Sequence, residues 1–361
     1  MKTTTHMDEK SVESTEAILF FTPFGYMFPA AARKPECLLE ESATTIEGLI
    51  ALGEAMGDPG TGKQPKPELD SQASSFFTYF GQFIDHDSTI RTDGDTPVST
   101  IENKAAIKPV DPDKVERELK NGRRPFLDLD SLYGDGPSLS VNSHNESDDL
   151  YDAALHLKTA NFAGTNKSSG QPYLDIPRAD TDIPGASGVL VEPRGLIADE
   201  RNDENINVSQ LHASFLTFHN AVYHGLGGAQ ATKANFIKAR QRVRWSYQYI
   251  VIHQYLKTIC DENVVDDTLL NGPRFLGTAN GQKGVFMPLE FSVAAFRFGH
   301  SMIRPSYQIN KDTELGIMEM LLPSHTNPKQ GGTNAKFVTD QSKPPRPMLD
   351  PALQIDWRNY V

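Results

Sequence analysis

Phe80-Gly81-Gln82-Phe83-Ile84-Asp85-His86-Asp87-Ser88-Thr89 places one histidine between two carboxylates, inside an aromatic run that begins at Phe76. On a helix, Gln82 and His86 stand four residues apart and share a face, while Asp85 and Asp87 fan to either side. One helical turn then offers an imidazole base, an amide beside it, and two carboxylates on other faces. A lone histidine here also reads as a satisfied core residue. The flanking aspartates fit a plain apolar core poorly, because buried carboxylates need partners.

The surrounding chain narrows the class. It has 361 residues, a formal net charge of −12 and 38% hydrophobic residues, enough for a sizeable core. Its acidic balance argues against nucleic acid and anionic membrane surfaces as partners. Cys37 and Cys260 are the only cysteines, so neither a disulfide framework nor a cysteine zinc site is expected. The apolar run from Ala17 to Phe21 is too short for a leader or a membrane span. The expected location is therefore cytoplasmic, or outside the cell by a leaderless route.

Periodicity predicts a mainly α protein with long irregular loops and little β structure. Leu211, Phe215, Phe218 and Val222 mark an amphipathic helix over Asn207–Tyr223, and Phe236, Ala239, Val243, Tyr247 and Ile250 mark a longer one over Ala234–Cys260. A third apolar helix is expected over Pro288–Ile303, closed by Pro305. A weak helix around Thr45–Met56 and a charged one near Asp113–Asn121 complete the set. Residues 134–194 read as irregular surface with a hairpin, and no strand alternation predicts a sheet. Such a proportion of coil suggests that a prosthetic group or bound ion helps organise the fold.

Two further segments carry matching polar groups. Asp199-Glu200-Arg201-Asn202-Asp203-Glu204 precedes the Asn207 helix, and Phe296-Arg297-Phe298-Gly299-His300 puts a glycine before a histidine on an apolar helix. That glycine costs up to about 1 kcal/mol of helix propensity and makes sense where a planar, bulky group approaches the backbone. Alone, His300 reads equally as a core histidine, and Arg201 with Glu204 as a solvated ion pair.

Together with Leu127-Asp128-Leu129-Asp130-Ser131-Leu132-Tyr133-Gly134, these motifs resemble the animal-type haem peroxidase superfamily, the myeloperoxidase- and lactoperoxidase-like group. The resemblance covers roughly residues 70–310, and Arg-Asn-Asp-Glu-Asn is similar to the bacterial branch. It implies an N-terminal extension over 1–69 and a haem peroxidase catalytic domain over 70–361. It also implies that His86 is the distal base, Gln82 its amide neighbour, and Arg201 the distal guanidinium. His300 matches the proximal iron ligand and Arg297 an arginine beside a haem propionate. Asp85 and Glu204 match carboxylates that become ester-linked to haem b. Asp87, Asp128, Asp130 and the Phe126 carbonyl match calcium ligands.

Elementary chemistry agrees with these roles. Splitting a peroxide O–O bond needs a base that takes a proton from one oxygen and returns it to the other, which a neutral imidazole can do. A guanidinium keeps its charge where the departing oxygen gains electron density. Calcium takes six to eight oxygens, and carboxylates and carbonyls suit it.

The sequence departs from the family pattern in three places. Arg124 stands where a threonine or serine usually lends oxygens to calcium, and Asp130 replaces the commoner serine. Asn205 stands where one branch has a methionine that forms a third haem bond. At most two ester links are then expected, which favours bromide, iodide, thiocyanate or phenolic donors over chloride. The family's helical domain normally continues past Asp356-Trp357-Arg358, and the later part supplies an asparagine to the proximal histidine, so the chain reads as C-terminally truncated.

Within the superfamily, fatty-acid dioxygenases carry a radical tyrosine three residues before the proximal histidine, where this chain has Arg297. A peroxidase-like module without catalysis is the other alternative, and the presence of His86, Arg201 and His300 speaks against it. His212 and His219 receive no chemical role from this reading, and neither do His6, His144, His156, His224, His253 and His325.

Overall fold

A computed structural model describes residues 22–40, 42–56, 71–90, 111–138, 146–160, 165, 170, 172–178, 195–227, 232–276, 286–322, 337–339 and 347–360. The proline- and glycine-rich stretch around Asp58–Gly62 and parts of the irregular 134–194 segment lie outside them. The longer helices in chain order are α1 (Ala43–Met56), α2 (Phe76–Ser88), α3 (Pro112–Glu118), α4 (Ile206–Gly227), α5 (Lys233–Ile250) and α6 (Glu262–Asn271). The strands are β1 (Thr22–Gly25), β2 (Lys120–Asn121), β3 (Met287–Pro288), β4 (Ser306–Asn310), β5 (Thr313–Gly316), β6 (Phe337–Thr339) and β7 (Pro347–Leu349). The protein is mainly helical, as the periodicity predicts.

The chain divides into two compact units. The first gathers Met1–Thr45, Ser88–Phe126 and Pro273–Arg297; the second gathers Ile46–Asp87, Leu127–Gly272 and Phe298–Val361. In the first, β1 pairs antiparallel with β2 and parallel with β3. Phe24, Met287 and Leu289 form its small core, with Val115 and Leu119 packed against it. No alternation announced this sheet, because its strands are only two to four residues long.

The core of the second unit is built around α2. Phe76, Phe80 and Phe83 recur at helical spacing and fall on one face. Phe83 stacks on Phe215 of α4 with ring centroids 5.1 Å apart, and Phe80 meets Tyr247 of α5 edge-on at 6.1 Å. Phe80 and Phe83 are fully buried, each contributing about 1.5–3 kcal/mol. The helix carrying His86 is thereby fixed on two sides.

The glycine of the opening motif has a packing cause. A Cβ at Gly81 would come 2.5 Å from the Tyr255 hydroxyl. Tyr255 ends a π-helical turn, Val251–Tyr255, that interrupts the long helix expected from Ala234 to Cys260. Its ring also meets Phe77 and Phe80, so the turn presses an aromatic side chain onto the α2 backbone where only glycine leaves room.

Two expectations change. The helix predicted over Pro288–Ile303 divides: Leu289–Val293 is α-helical, Ala294 leaves the helical region at φ −128°, and Ala295–Met302 is 3₁₀. Beyond Pro305, β4 and β5 form an antiparallel hairpin. β4, Ser306-Tyr307-Gln308-Ile309-Asn310, does alternate polar and apolar residues, but over five residues only, and its partner Thr313-Glu314-Leu315-Gly316 does not, so the hairpin was overlooked.

Candidate functional site

The second unit brings together the opening motif and the Asp199–Glu204 segment. His86, 5% exposed, holds the Asn202 amide oxygen 2.8 Å from its Nδ1. Its Nε2 lies 3.9 Å from Oε1 of Glu204. Arg201 donates from Nη2 to the His86 carbonyl at 2.9 Å, and grips Asp199 through Nε at 3.0 Å and Nη2 at 2.7 Å. Asp199 also accepts from the Arg201 backbone N–H, so one buried carboxylate fixes both the turn and the guanidinium. Among the described residues Nη1 of Arg201 makes no hydrogen bond, and it remains available to a bound molecule.

Gln82 is fixed from α4. Asn205 caps that helix, its side-chain oxygen accepting from the Val208 N–H at 3.0 Å. The other end of the same amide donates to Gln82 Oε1 at 3.2 Å. Gln82 therefore keeps its NH₂ for something else. Asparagine at this position serves as both cap and clamp.

Residues that sequence reasoning left aside hold the site from behind. Asn202 and His212 are fully buried, and the Asn202 Nδ2 lies 3.0 Å from His212 Nδ1. Burial pushes the His212 imidazole down to about 3, with a weaker opposing pull from Asp199, so it is neutral across the physiological range. Behind them Arg178, fully buried, binds Asp175 through Nε at 2.9 Å and Asp203 through Nη1 at 2.8 Å. Asp203 also accepts from the Gly195 N–H, and Asp175 from the Leu349 N–H. A buried arginine with two carboxylates is costly unless its members are paired; here the cluster ties the 175–178 segment, Gly195 and Leu349 to the segment bearing Arg201. His212 had one usable sequence signal, a polar residue at a core-facing position of its helix, whereas Asn202, outside any periodic stretch, had none. Arg178 had none, because it lies in a stretch without periodicity.

Asp87 begins a second cluster. Fully buried, it accepts from the Leu129 N–H at 3.2 Å and from the Ser131 N–H and hydroxyl at 3.3 and 3.2 Å. One carboxylate oxygen from each of Asp87, Asp128 and Asp130 lies within 4.8 Å of the others. Burial, and then the Asp128 charge, raise the Asp87 carboxyl to about 6. Leu127 and Leu129 both take positive φ, 54° and 60°, which leucine rarely adopts. The loop is held there by Gln248 donating to the Leu127 carbonyl at 3.1 Å and Arg244 to the Asp128 carbonyl at 2.5 Å. Phe126, expected to lend a carbonyl, is an exposed side chain whose N–H bonds the Arg124 carbonyl at 2.8 Å.

The remaining predicted residues are placed separately. Asp85 is buried on α2, 8% exposed. Arg297 and His300 lie on the 3₁₀ segment and are both exposed, the Arg297 Nε donating to the Ser292 carbonyl at 3.1 Å. A Cβ at Gly299 would meet no atom of the described residues within 4 Å, which leaves room for a planar group beside His300 among them. A groove of about 650 Å³ between α4 and α5, lined by Phe218, Trp245 and Tyr249 among others, includes none of these residues.

The chain spans only a fraction of the curated relatives it matches. It is 28% identical over 200 residues to thyroid peroxidase of Homo sapiens, covering 52% of this chain and 20% of that protein. It is 23% identical over 288 residues to thyroid peroxidase of Canis lupus familiaris, covering 65% and 29%. Peroxidase A from Dictyostelium discoideum superimposes with a TM-score of 0.45 at 18% identity, covering 84% of this chain and 61% of that one. The family model for the animal haem peroxidase matches residues 94–330, about two thirds of the chain, beginning just after the His86 motif. By that match, the chain belongs to the animal haem peroxidase family.

Proposed function

We propose that residues 70–361 form a haem peroxidase domain that reduces hydrogen peroxide and oxidises halide, pseudohalide or phenolic donors. The observation that carries the reading is the joining of His86 and Arg201, from segments 115 positions apart, into one site by a hydrogen bond through the His86 carbonyl.

The residues present fit a haem group. His300 is exposed and lies beside open backbone at Gly299. It would hold the iron, with Arg297 offering charge to a propionate, and Asp85 and Glu204 would supply the ester links. Bound haem supplies two-electron redox chemistry at iron. The chain's own part is proton handling and charge. His86 accepts the proton of one peroxide oxygen at Nε2 and returns it to the other. Arg201 presents a permanent positive charge, and Nη1 as donor, to the oxygen that leaves. Gln82 adds an amide donor, because Asn205 occupies its carbonyl oxygen.

The Asp87–Asp128–Asp130 cluster suits calcium: an all-oxygen, hard donor set on a loop already fixed in strained conformations. Bound there, the ion would pin the loop to the last turn of α2, directly beside His86.

A haem titration tests the reading. The full chain should develop a Soret band that saturates at one equivalent of haem, and His300→Ala should lose or strongly shift it. No band in the wild-type chain would contradict the proposal.

A further inference from the structure

Within the peroxidase reading, on which this step rests, we infer that Asn202 is a positioning residue that fixes the tautomer of His86. The Asn202 side chain stands between two imidazoles, its oxygen 2.8 Å from His86 Nδ1 and its nitrogen 3.0 Å from His212 Nδ1. An amide oxygen only accepts and an amide nitrogen only donates. In this orientation of the amide His86 carries its proton on Nδ1 and His212 accepts at Nδ1, which leaves the His212 proton on Nε2, without a hydrogen-bond partner among the described residues. All three side chains are buried, so water is a poor substitute for any of these partners.

The consequence falls on the other ring nitrogen. With Nδ1 protonated, the neutral His86 ring has its lone pair on Nε2, which is the state a proton acceptor for peroxide requires. A competitor is close by. Glu204 Oε1 lies 3.9 Å from that Nε2 and would draw the proton there if Nδ1 lost its acceptor. Asn202 opposes that choice from the buried side, its other end lying 3.0 Å from the His212 ring, which burial keeps neutral. A hydroxyl or methyl at position 202 could not reach both rings at once. The amide is the group that couples them.

The test reads the tautomer directly and needs neither haem nor peroxide. The full chain is labelled with ¹⁵N-histidine, and the His86 ring resonances are assigned by comparison with His86→Gln. The inference expects Nδ1 protonated and Nε2 unprotonated in the wild type. Asn202→Asp keeps the acceptor and should keep that pattern, whereas Asn202→Leu should move the proton to Nε2. A wild-type ring protonated on Nε2, or a Leu variant still protonated on Nδ1, would overturn the inference. If Asn202→Leu does not fold, the wild-type and Asp spectra decide it alone. With haem bound, Asn202→Leu should slow reaction with peroxide about a hundredfold while Asn202→Asp retains most of it. The peroxidase reading fails separately, if His86→Ala leaves that reaction intact while the tautomer pattern stands.

Discussion

Arg201 reaches the His86 main chain while Asp199 holds one edge of its guanidinium: Nη2 lies 2.9 Å from the His86 carbonyl and 2.7 Å from the Asp199 carboxylate, and Nε 3.0 Å from the other carboxylate oxygen. The guanidinium is thus locked to the helix that carries the base. Only a planar, branched cation can grip a carboxylate, a carbonyl and a bound molecule at once.

Arg201→Lys should therefore be far from conservative. Lysine keeps the charge but has a single nitrogen to divide among Asp199, the His86 carbonyl and the peroxide. The rate of reaction with hydrogen peroxide, followed by stopped flow at the Soret band, should fall by about a hundredfold or more. Haem affinity should change little. A lysine variant as fast as the wild type would show that the fork geometry is not needed.

Acid should destabilise this chain through its buried histidines. Burial lowers both His212 and His219 to about 3. A base whose folded value lies below its unfolded value near 6.5 contributes stability above 6.5, and that stability is lost as pH falls towards 3. At about pH 5 each histidine should cost about 2 kcal/mol. Tyr133 and His219 share a hydrogen bond of 2.9 Å, which glutamine can keep. In urea titrations between about pH 7 and 5, His219→Gln should flatten the loss of stability by about that amount. An unchanged slope would mean that His219 does not titrate on unfolding.

The acidic cluster predicts calcium-dependent stability. Three carboxylates within 4.8 Å repel one another, and Arg244, 3.8 Å from Asp128 at the side of the cluster, offsets only part of that repulsion. Calcium at about a hundred times its Kd should stabilise the chain by about 2.7 kcal/mol, readable as a rise in Tm. Magnesium should do less, because it demands a tighter octahedral shell. Asp87→Asn should abolish the calcium response. A wild-type chain whose Tm ignores calcium would exclude this site.

Much of this was legible in the sequence, and the boundary between what was and was not has physical causes. The α2, α4 and α5 helices carry long apolar periods, and a period of 3.6 survives in any context. His86 and Asp87 stood out because charged groups inside an aromatic run need an explanation, whereas Arg201, Asp128 and Asp130 gained their roles only from the motifs that resemble the family. Asn202 and His212 were missed as partners because their roles come from a contact between segments, and a buried amide has no pattern of its own. Arg178 was hidden for the same reason, in a stretch where hydrogen bonds rather than periodicity determine the path. The break at Ala294 and the two-residue strands β2 and β3 lie below the length at which any period can be read.

The central claim is that His86 handles the peroxide proton. Its most direct test is the second-order rate of reaction between hydrogen peroxide and the haem-loaded chain, for the wild type and for His86→Ala. The predicted result is a variant that keeps its Soret band but reacts at least about a hundredfold more slowly. A variant that binds haem and reacts at the wild-type rate would contradict the account.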